Sequence, residues 1–291
     1  MSTILVTGAT GGLGHAVVET LLQTINPAQL AVLARDPAKA ADLQAQGVAV
    51  RQGDYSDYES LTAAFAGVEK LYFVATSSMT DRIQQHENVV KAATAAGVKH
   101  LVYTSFQRKT EDGTSPVAFI EEAHLATEKL IKQSGLTYTI LKHALYLDVF
   151  PPFFGPQVLE NNTIYLPAGT GRGAYASRHD LAVAGAAVLT SPGHENQTYE
   201  LAANTTYSLA DFAEALSTLS GRAIQYVAPS PAEFVAQLTQ AGVPAENSQM
   251  AAALMSAIAQ GEFDFPDPTL EKLLGRKPES PTEFLKAAYK L

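Results

Sequence analysis

Residues 4–14 constrain this chain more than any other stretch. Ile4-Leu-Val-Thr-Gly8-Ala9-Thr10-Gly11-Gly12-Leu13-Gly14 runs from an apolar strand-like segment, through a glycine turn, into an amphipathic stretch. Gly8 permits a tight turn, Gly11 lets backbone approach a bound pyrophosphate, and Gly14 lets helix and strand pack closely. A helix start leaves amide protons unpaired and carries a partial positive charge, so this turn reads as a phosphate cradle. The pattern then repeats. Strand-like runs at 3–7, 30–34, 48–52, 70–75, 100–104 and 137–142 alternate with helical patterns at 13–24, 37–46, 58–66, 84–96 and 121–133. Strands joined by helices of this length pair in parallel through right-handed crossovers, and apolar runs without polar alternation suit strands covered on both faces. The expected fold is α/β, a Rossmann-type doubly wound parallel sheet over residues 1–150 that binds a dinucleotide.

The pattern changes near Pro151-Pro152. Residues 151–291 read as a smaller, mixed, mostly helical lobe on the substrate side, some of whose segments return to the sheet. Short strands are expected at 197–201 and 223–227. Three helix starts carry a capping signature, Ser208…Asp211, Ser230-Pro…Glu233 and Ser280-Pro…Glu283. In each, the serine accepts from an early helix amide and the acid reaches back to the serine amide.

The chain has 46% hydrophobic and 17% charged residues, which suits a globular protein. Without cysteine it forms no disulfide, iron–sulfur or thiolate zinc site. Twenty-nine Asp and Glu against 20 Lys and Arg give a net charge of −9, which argues against nucleic-acid partners but permits one local basic pocket. No apolar run approaches the roughly 18 residues of a membrane span, and the N-terminus lacks a basic leader, so a cytoplasmic protein is expected.

Several further stretches carry a resemblance. They are Leu33-Ala-Arg35-Asp-Pro37-Ala-Lys39, Gly53-Asp54-Tyr-Ser-Asp57 and Gly97-Val-Lys-His-Leu-Val-Tyr103-Thr104-Ser105. With the Gly-Ala-Thr-Gly-x-Leu-Gly turn, they resemble the NmrA-like atypical short-chain dehydrogenase/reductases, especially the bacterial type 2 NAD(P)H:quinone oxidoreductases and triphenylmethane reductases. The likeness covers nearly the whole chain. It implies an NAD(P)H-dependent oxidoreductase acting on a small aromatic substrate.

NAD enzymes of this architecture usually end the second strand with an acid that bonds the ribose hydroxyls. Arg35 stands there instead and can pair with a 2′-phosphate, while Asp36-Pro37 suits a helix cap; NADP(H) is therefore expected over NAD(H). By the resemblance, Asp54 sits at the adenine corner, or serves only as a turn former. Thr76, Ser77 and Ser78 follow the fourth strand beneath the pyrophosphate and nicotinamide ribose, and Thr104 and Ser105 follow the fifth at the active-site floor. His143 borders the nicotinamide, and Arg172 in Gly169-Thr-Gly171-Arg172-Gly173 returns to the cofactor or stands on the surface. Tyr146, Phe150, Phe153 and Phe154, with Met250 and Met255, either wall a flat substrate or fill the lobe core.

Ordinary short-chain dehydrogenases use Ser with a Tyr-x-x-x-Lys pair on a helix. Only Tyr138…Lys142 has that spacing, and it lies in a strand-like run, where residues four apart stand roughly 13 Å from each other. The position four before Lys129 is Leu125, which moves no proton. The chain lacks that acid. Hydride transfer to a quinone-like or cationic aromatic acceptor gives a stabilised anion or a neutral product, and solvent can supply the proton. The leading expectation is direct hydride transfer from NADPH without flavin or metal; the alternative is a non-catalytic NADP(H) sensor acting through a protein partner. Ser105, His143 and Tyr146 are the candidate catalytic residues. His124 and Glu128, one helical turn apart, serve structural hydrogen bonding or a polar role toward substrate. Monomer and homodimer are both compatible with the sequence.

Overall fold

The computed structural model describes residues 3–291. Its strands are β1 (Ile4–Val6), β2 (Leu30–Ala34), β3 (Ala49–Gln52), β4 (Lys70–Phe73), β5 (His100–Phe106), β6 (Thr137–His143), β7 (Thr163–Tyr165), β8 (Arg172–Gly173), β9 (Gln197–Leu201), β10 (Tyr207–Ser208) and β11 (Gln225–Val227). The main sheet has seven strands in the order β3-β2-β1-β4-β5-β6-β9. Every neighbouring pair in it is parallel. Strand order reverses between β1 and β4, which opens a crevice at their carboxyl ends.

Between the strands run α1 (Gly12–Leu22), α2 (Ala41–Ala45), α3 (Tyr58–Phe65), α4 (Arg82–Ala95) and α5 (Ala118–Gln133), followed by α6 (Phe150–Phe154), α7 (Val158–Asn161) and α8 (Arg178–Thr190). Strand alternation sends successive side chains to opposite faces. Ile4, Val6, Val32 and Tyr72 join a core with Val17, Val18 and Leu21 of α1 and Leu181 and Ala184 of α8. Leu5, Leu33, Phe73 and Tyr103 join the opposite core with Phe65 of α3, Val89 of α4 and Ile131 of α5. Both faces are covered, so both carry apolar residues.

Segments beyond residue 150 return to the sheet. Strand β9 pairs with β6 and covers an edge that would otherwise expose unpaired backbone groups. Helix α8 packs on the α1 side of the sheet. The second lobe keeps its own core, in which Phe150 stacks on Phe154 and both meet Phe212 tilted or edge to face, with Tyr175 edge-on to Phe150. Strands β7 and β11 pair in parallel there, and β8 and β10 pair antiparallel. All three capping boxes form, at Ser208/Asp211, Ser230/Glu233 and Ser280/Glu283. The helical pattern at 37–46 divides into a 3₁₀ turn, Pro37–Ala40, and the short α2.

Gly185 shows how closely α8 approaches the sheet. A Cβ there would meet the Tyr72 hydroxyl at 2.5 Å and the ring at 2.9 Å. Gly185→Ala should destabilise the protein by about 1–3 kcal/mol through overpacking. Thermal unfolding checks this: the midpoint should fall, and Tyr72→Phe in the same chain should recover part of the loss.

Candidate active site

The crevice opens into one cavity of about 750 Å³. Its wall begins at the glycine turn. Gly8 has a φ of +62°, which few residues besides glycine adopt readily. The amide of Gly11 donates to the Gly8 carbonyl at 2.9 Å and closes the turn. A Cβ on Gly14 would collide with the Gly8 carbonyl. Helix α1 begins without a side-chain cap and without an acidic residue in its first turn. Its leading amides and partial positive charge are left for an anion.

Polar side chains tie the carboxyl ends of the strands together. The Thr7 hydroxyl accepts from the Val74 amide at 2.9 Å, and the Tyr55 hydroxyl lies 2.5 Å from Thr7 Oγ1 and 2.8 Å from the Val74 carbonyl. The Thr104 hydroxyl accepts from the Ala75 amide at 2.9 Å.

Gly8, Thr10, Gly11, Gly12, Leu13, Gly14, Arg35, Asp54, Thr76, Ser77, Ser78, Thr104, Ser105 and Tyr146 all line the cavity. Arg35 is exposed at the end of β2 and has no ion pair among the described residues. Asp36, its neighbour, instead caps the 3₁₀ turn through the Ala38 amide at 3.1 Å. Asp54 Oδ1 accepts from the Ser56 amide at 2.8 Å, so it shapes the turn as well as the wall.

Three expected residues stand elsewhere. Ala9 is fully buried in the α1-side core and lies off the wall. His143 closes β6, paired with Phe106 and Leu201, and is buried off the wall. The strand runs one residue further than its pattern suggested, so Ala144, Leu145 and Tyr146 form the rim instead. Arg172 is held by Asp211 at 3.1 Å and by the Thr206 carbonyl at 2.6 Å, away from the cavity. Phe150, Phe154 and Met255 are core residues of the second lobe.

Ser105 lines the cavity, but its hydroxyl donates to Glu128. Glu128 is gripped bidentately by the buried Arg108, each contact 2.9 Å. Burial works to raise the Glu128 pKa, yet the bonds from Arg108 and Ser105 prevail and hold it below the usual carboxylate range. The Ser105 proton is committed. Tyr138 and Lys142 both lie on β6, and Lys142 pairs with Glu200 at 3.1 Å. Tyr146, pushed up to about 12 by burial, keeps its proton at neutral pH.

The sequence reading missed Arg178, Arg82, Tyr55 and Ile120, which also line the cavity. Arg178 starts α8, and a Cβ on Gly12 would lie 3.4 Å from its Cδ. Its guanidinium stands 5.0 Å over the Tyr146 ring and 3.5 Å from Asp148. No local pattern announces this residue, because it reaches the glycine turn only through the packing of α8 beside α1. His124 lines the cavity and meets Tyr103 behind it. Among the described residues no group of three or more His, Asp or Glu could hold a metal ion, and no helix is long and apolar enough to cross a membrane.

A parallel sheet whose first six strands run 3-2-1-4-5-6, with a glycine turn at its switch point, defines a Rossmann-type protein of the short-chain dehydrogenase architecture. Residues 1–280 match the NmrA-like family, and the chain belongs to that family. It is 40% identical to quinone oxidoreductase 2 of Escherichia coli over 272 residues, 94% of this chain and 93% of that protein. The crystal structure of the E. coli NADPH-dependent quinone oxidoreductase with NADPH superposes with a TM-score of 0.92 at 38% identity, covering 99% of this chain and all of that one. The Citrobacter sp. triphenylmethane reductase complexed with NADP(H) superposes with a TM-score of 0.93 at 40% identity, covering 98% and 100%.

Burial holds His86 and His143 down at about 3, so both are neutral in the folded protein. Unfolded, each takes up a proton near pH 6.5. The unfolded state therefore binds more protons between about 6.5 and 3, and stability falls as pH drops through that window by about 1.4 kcal/mol per histidine per pH unit. Urea unfolding from pH 7 to 5 should show this loss, and His143→Asn should make the slope shallower. An unchanged slope would exclude His143 from the effect.

Proposed function

We propose that this chain is an NADPH-dependent oxidoreductase that passes hydride directly to a quinone-like or cationic aromatic acceptor, without flavin or metal. One observation carries the reading: an uncapped glycine helix start shares its cavity with three guanidiniums, those of Arg35, Arg82 and Arg178, and that wall carries no Ser–Tyr–Lys set. The residues fit a dinucleotide. The turn between Gly8 and Gly14 has no room for a side chain at Gly14, and the amides of α1 face outward unpaired. In this reading those amides and Arg178 bind the pyrophosphate, and Arg35 grips the 2′-phosphate that distinguishes NADP from NAD. Asp54 and Tyr55 border the adenosine. Thr76, Ser77, Ser78 and Thr104 carry the cofactor toward Tyr146 and His124 at the acceptor end.

When bound, the reduced nicotinamide supplies the hydride. The protein's own part is to hold donor and acceptor face to face and exclude competing geometries, which is catalysis chiefly by positioning. Ser105 contributes shape but no proton, since Glu128 holds its hydroxyl. The related E. coli and Citrobacter proteins, named for quinone and triphenylmethane dye reduction and solved with NADPH or NADP(H), support this class of cofactor and acceptor.

Two measurements test the proposal. Purified protein should oxidise NADPH with members of a panel of quinones and cationic dyes, and inactivity across the panel contradicts it. In binding titrations, Arg35→Glu should weaken NADPH by tenfold or more relative to NADH, on the order of 1.4 kcal/mol or more of selective loss. Equal weakening of both nucleotides removes Arg35 from 2′-phosphate recognition.

A further inference from the structure

A chain of hydrogen bonds behind the acceptor end allows its protons to be assigned one by one. The Thr76 amide donates to Nε2 of His86 at 3.1 Å, so that nitrogen carries a lone pair. His86 is neutral, and its proton therefore sits on Nδ1. That Nδ1–H lies 2.8 Å from the Thr127 hydroxyl, which itself donates to the Ala123 carbonyl at 2.6 Å. The Tyr103 hydroxyl stands 3.4 Å from the same Nδ1 and finds a proton there, not a lone pair. Its own proton goes to Nδ1 of His124, at 2.7 Å, rather than to the nearby Thr127 hydroxyl, which already receives the His86 Nδ1 proton. Burial, then the neighbouring His86 and Arg82, hold His124 well below its ordinary pKa, so it too is neutral. His124 is thereby fixed with its proton on Nε2, and Nε2 has no partner among the described residues although the ring lines the cavity.

Building on the oxidoreductase reading, we infer that His124 Nε2–H hydrogen-bonds a carbonyl oxygen of the acceptor and stabilises the negative charge that hydride uptake places there. This selects neutral, carbonyl-bearing aromatics of the quinone class over cationic dyes. The balance is simple. The acceptor gains one hydride, given by the reduced nicotinamide as it is oxidised, and the electron pair comes to rest on the carbonyl oxygen. Water then supplies one proton to give the hydroquinone. His124 keeps its own proton throughout, because losing it would leave an imidazolate in a buried site. A preorganised neutral donor of this kind stabilises developing charge without reorganising. Tyr103, fully buried and itself held protonated by burial, is a positioning residue that fixes the tautomer.

The charges around it agree with this selection. Charged residues on the wall are Arg35, Asp54, Arg82 and Arg178. Asp54 follows β3 and Arg35 follows β2, on the adenosine side, whereas Arg82 opens α4 four residues after Ser78 and donates to the Ser78 carbonyl at 3.0 Å. Of the acids on α5 near His124, Glu122 is exposed, Glu121 is buried and its carboxyl is pushed up by that burial, and Glu128 is neutralised by Arg108. A triarylmethyl cation has no oxygen for His124 to bond and meets the positive charge of Arg82. A quinone meets a donor and a cation, both suited to the charge it acquires.

The test compares His124→Phe and His124→Gln with the parent protein, using NADPH and either 1,4-naphthoquinone or malachite green. Removing one such donor costs on the order of 10²–10³ in rate in well-sealed sites, and about 30-fold is expected in this open cavity. His124→Phe should lower kcat for the quinone at least tenfold more than for the dye, and His124→Gln, which keeps an N–H, should recover part of the quinone rate. Equal losses for the two acceptors overturn the inference while leaving the oxidoreductase reading intact; a parent protein inert toward both overturns that reading itself. A second readout needs no turnover. Long-range ¹H–¹⁵N spectra should show His124 protonated at Nε2 and unchanged from pH 6 to 8, and a signal that is Nδ1-protonated or titrating overturns the tautomer on which the inference stands.

Discussion

The site depends on the close approach of α1 to the end of β1. Gly14 sits against the Gly8 carbonyl with no space for even a methyl group, and Gly8 itself takes a backbone conformation suited to glycine. Because the helix starts so near the strand, no side chain caps it, and its first amides open into the crevice where strand order reverses. Everything else at the site is arranged around that point. Thr7 and Tyr55 brace the strand ends beneath it, and α8 brings Arg178 over it from the far half of the chain.

An acidic protein thus carries a locally basic cavity. Its net charge is −9, yet three of the four charged residues on the wall are arginines. The remaining nearby charges are consumed internally: Arg108 with Glu128 and Glu111, and Lys142 with Glu200. Such pairs keep the interior neutral, and Arg178 leans on Asp148, while Arg35 and Arg82 have no ion pair among the described residues. The same economy removes Ser105 from proton chemistry, because its hydroxyl satisfies Glu128. Histidines, by contrast, are kept neutral by burial, which suits them to donate hydrogen bonds rather than charge.

How much of this was legible in the sequence follows from the range of each interaction. The first six strands, the glycine turn and the three capping boxes depend on neighbours within a few residues, and they could be read directly. Asp36 as a cap beside a free Arg35 belongs to the same local class. The return of β9 and α8 to the sheet does not, since nothing in their local pattern states which surface they cover. Arg172 and Arg178 illustrate the difference. They lie six positions apart, and only tertiary packing sends one to Asp211 and the other to Gly12. His143 was misplaced by a single residue of strand length, enough to turn it from the rim into the core.

The central claim is that hydride passes directly from the nicotinamide to the acceptor within this one cavity. Stopped-flow mixing of the protein, preloaded with NADPH deuterated at C4 of the nicotinamide, with 1,4-naphthoquinone and no added flavin tests it most directly. The account predicts a single-phase loss of NADPH absorbance that deuterium slows several-fold. A loss that ignores deuterium, or that appears only when flavin is added, would contradict it.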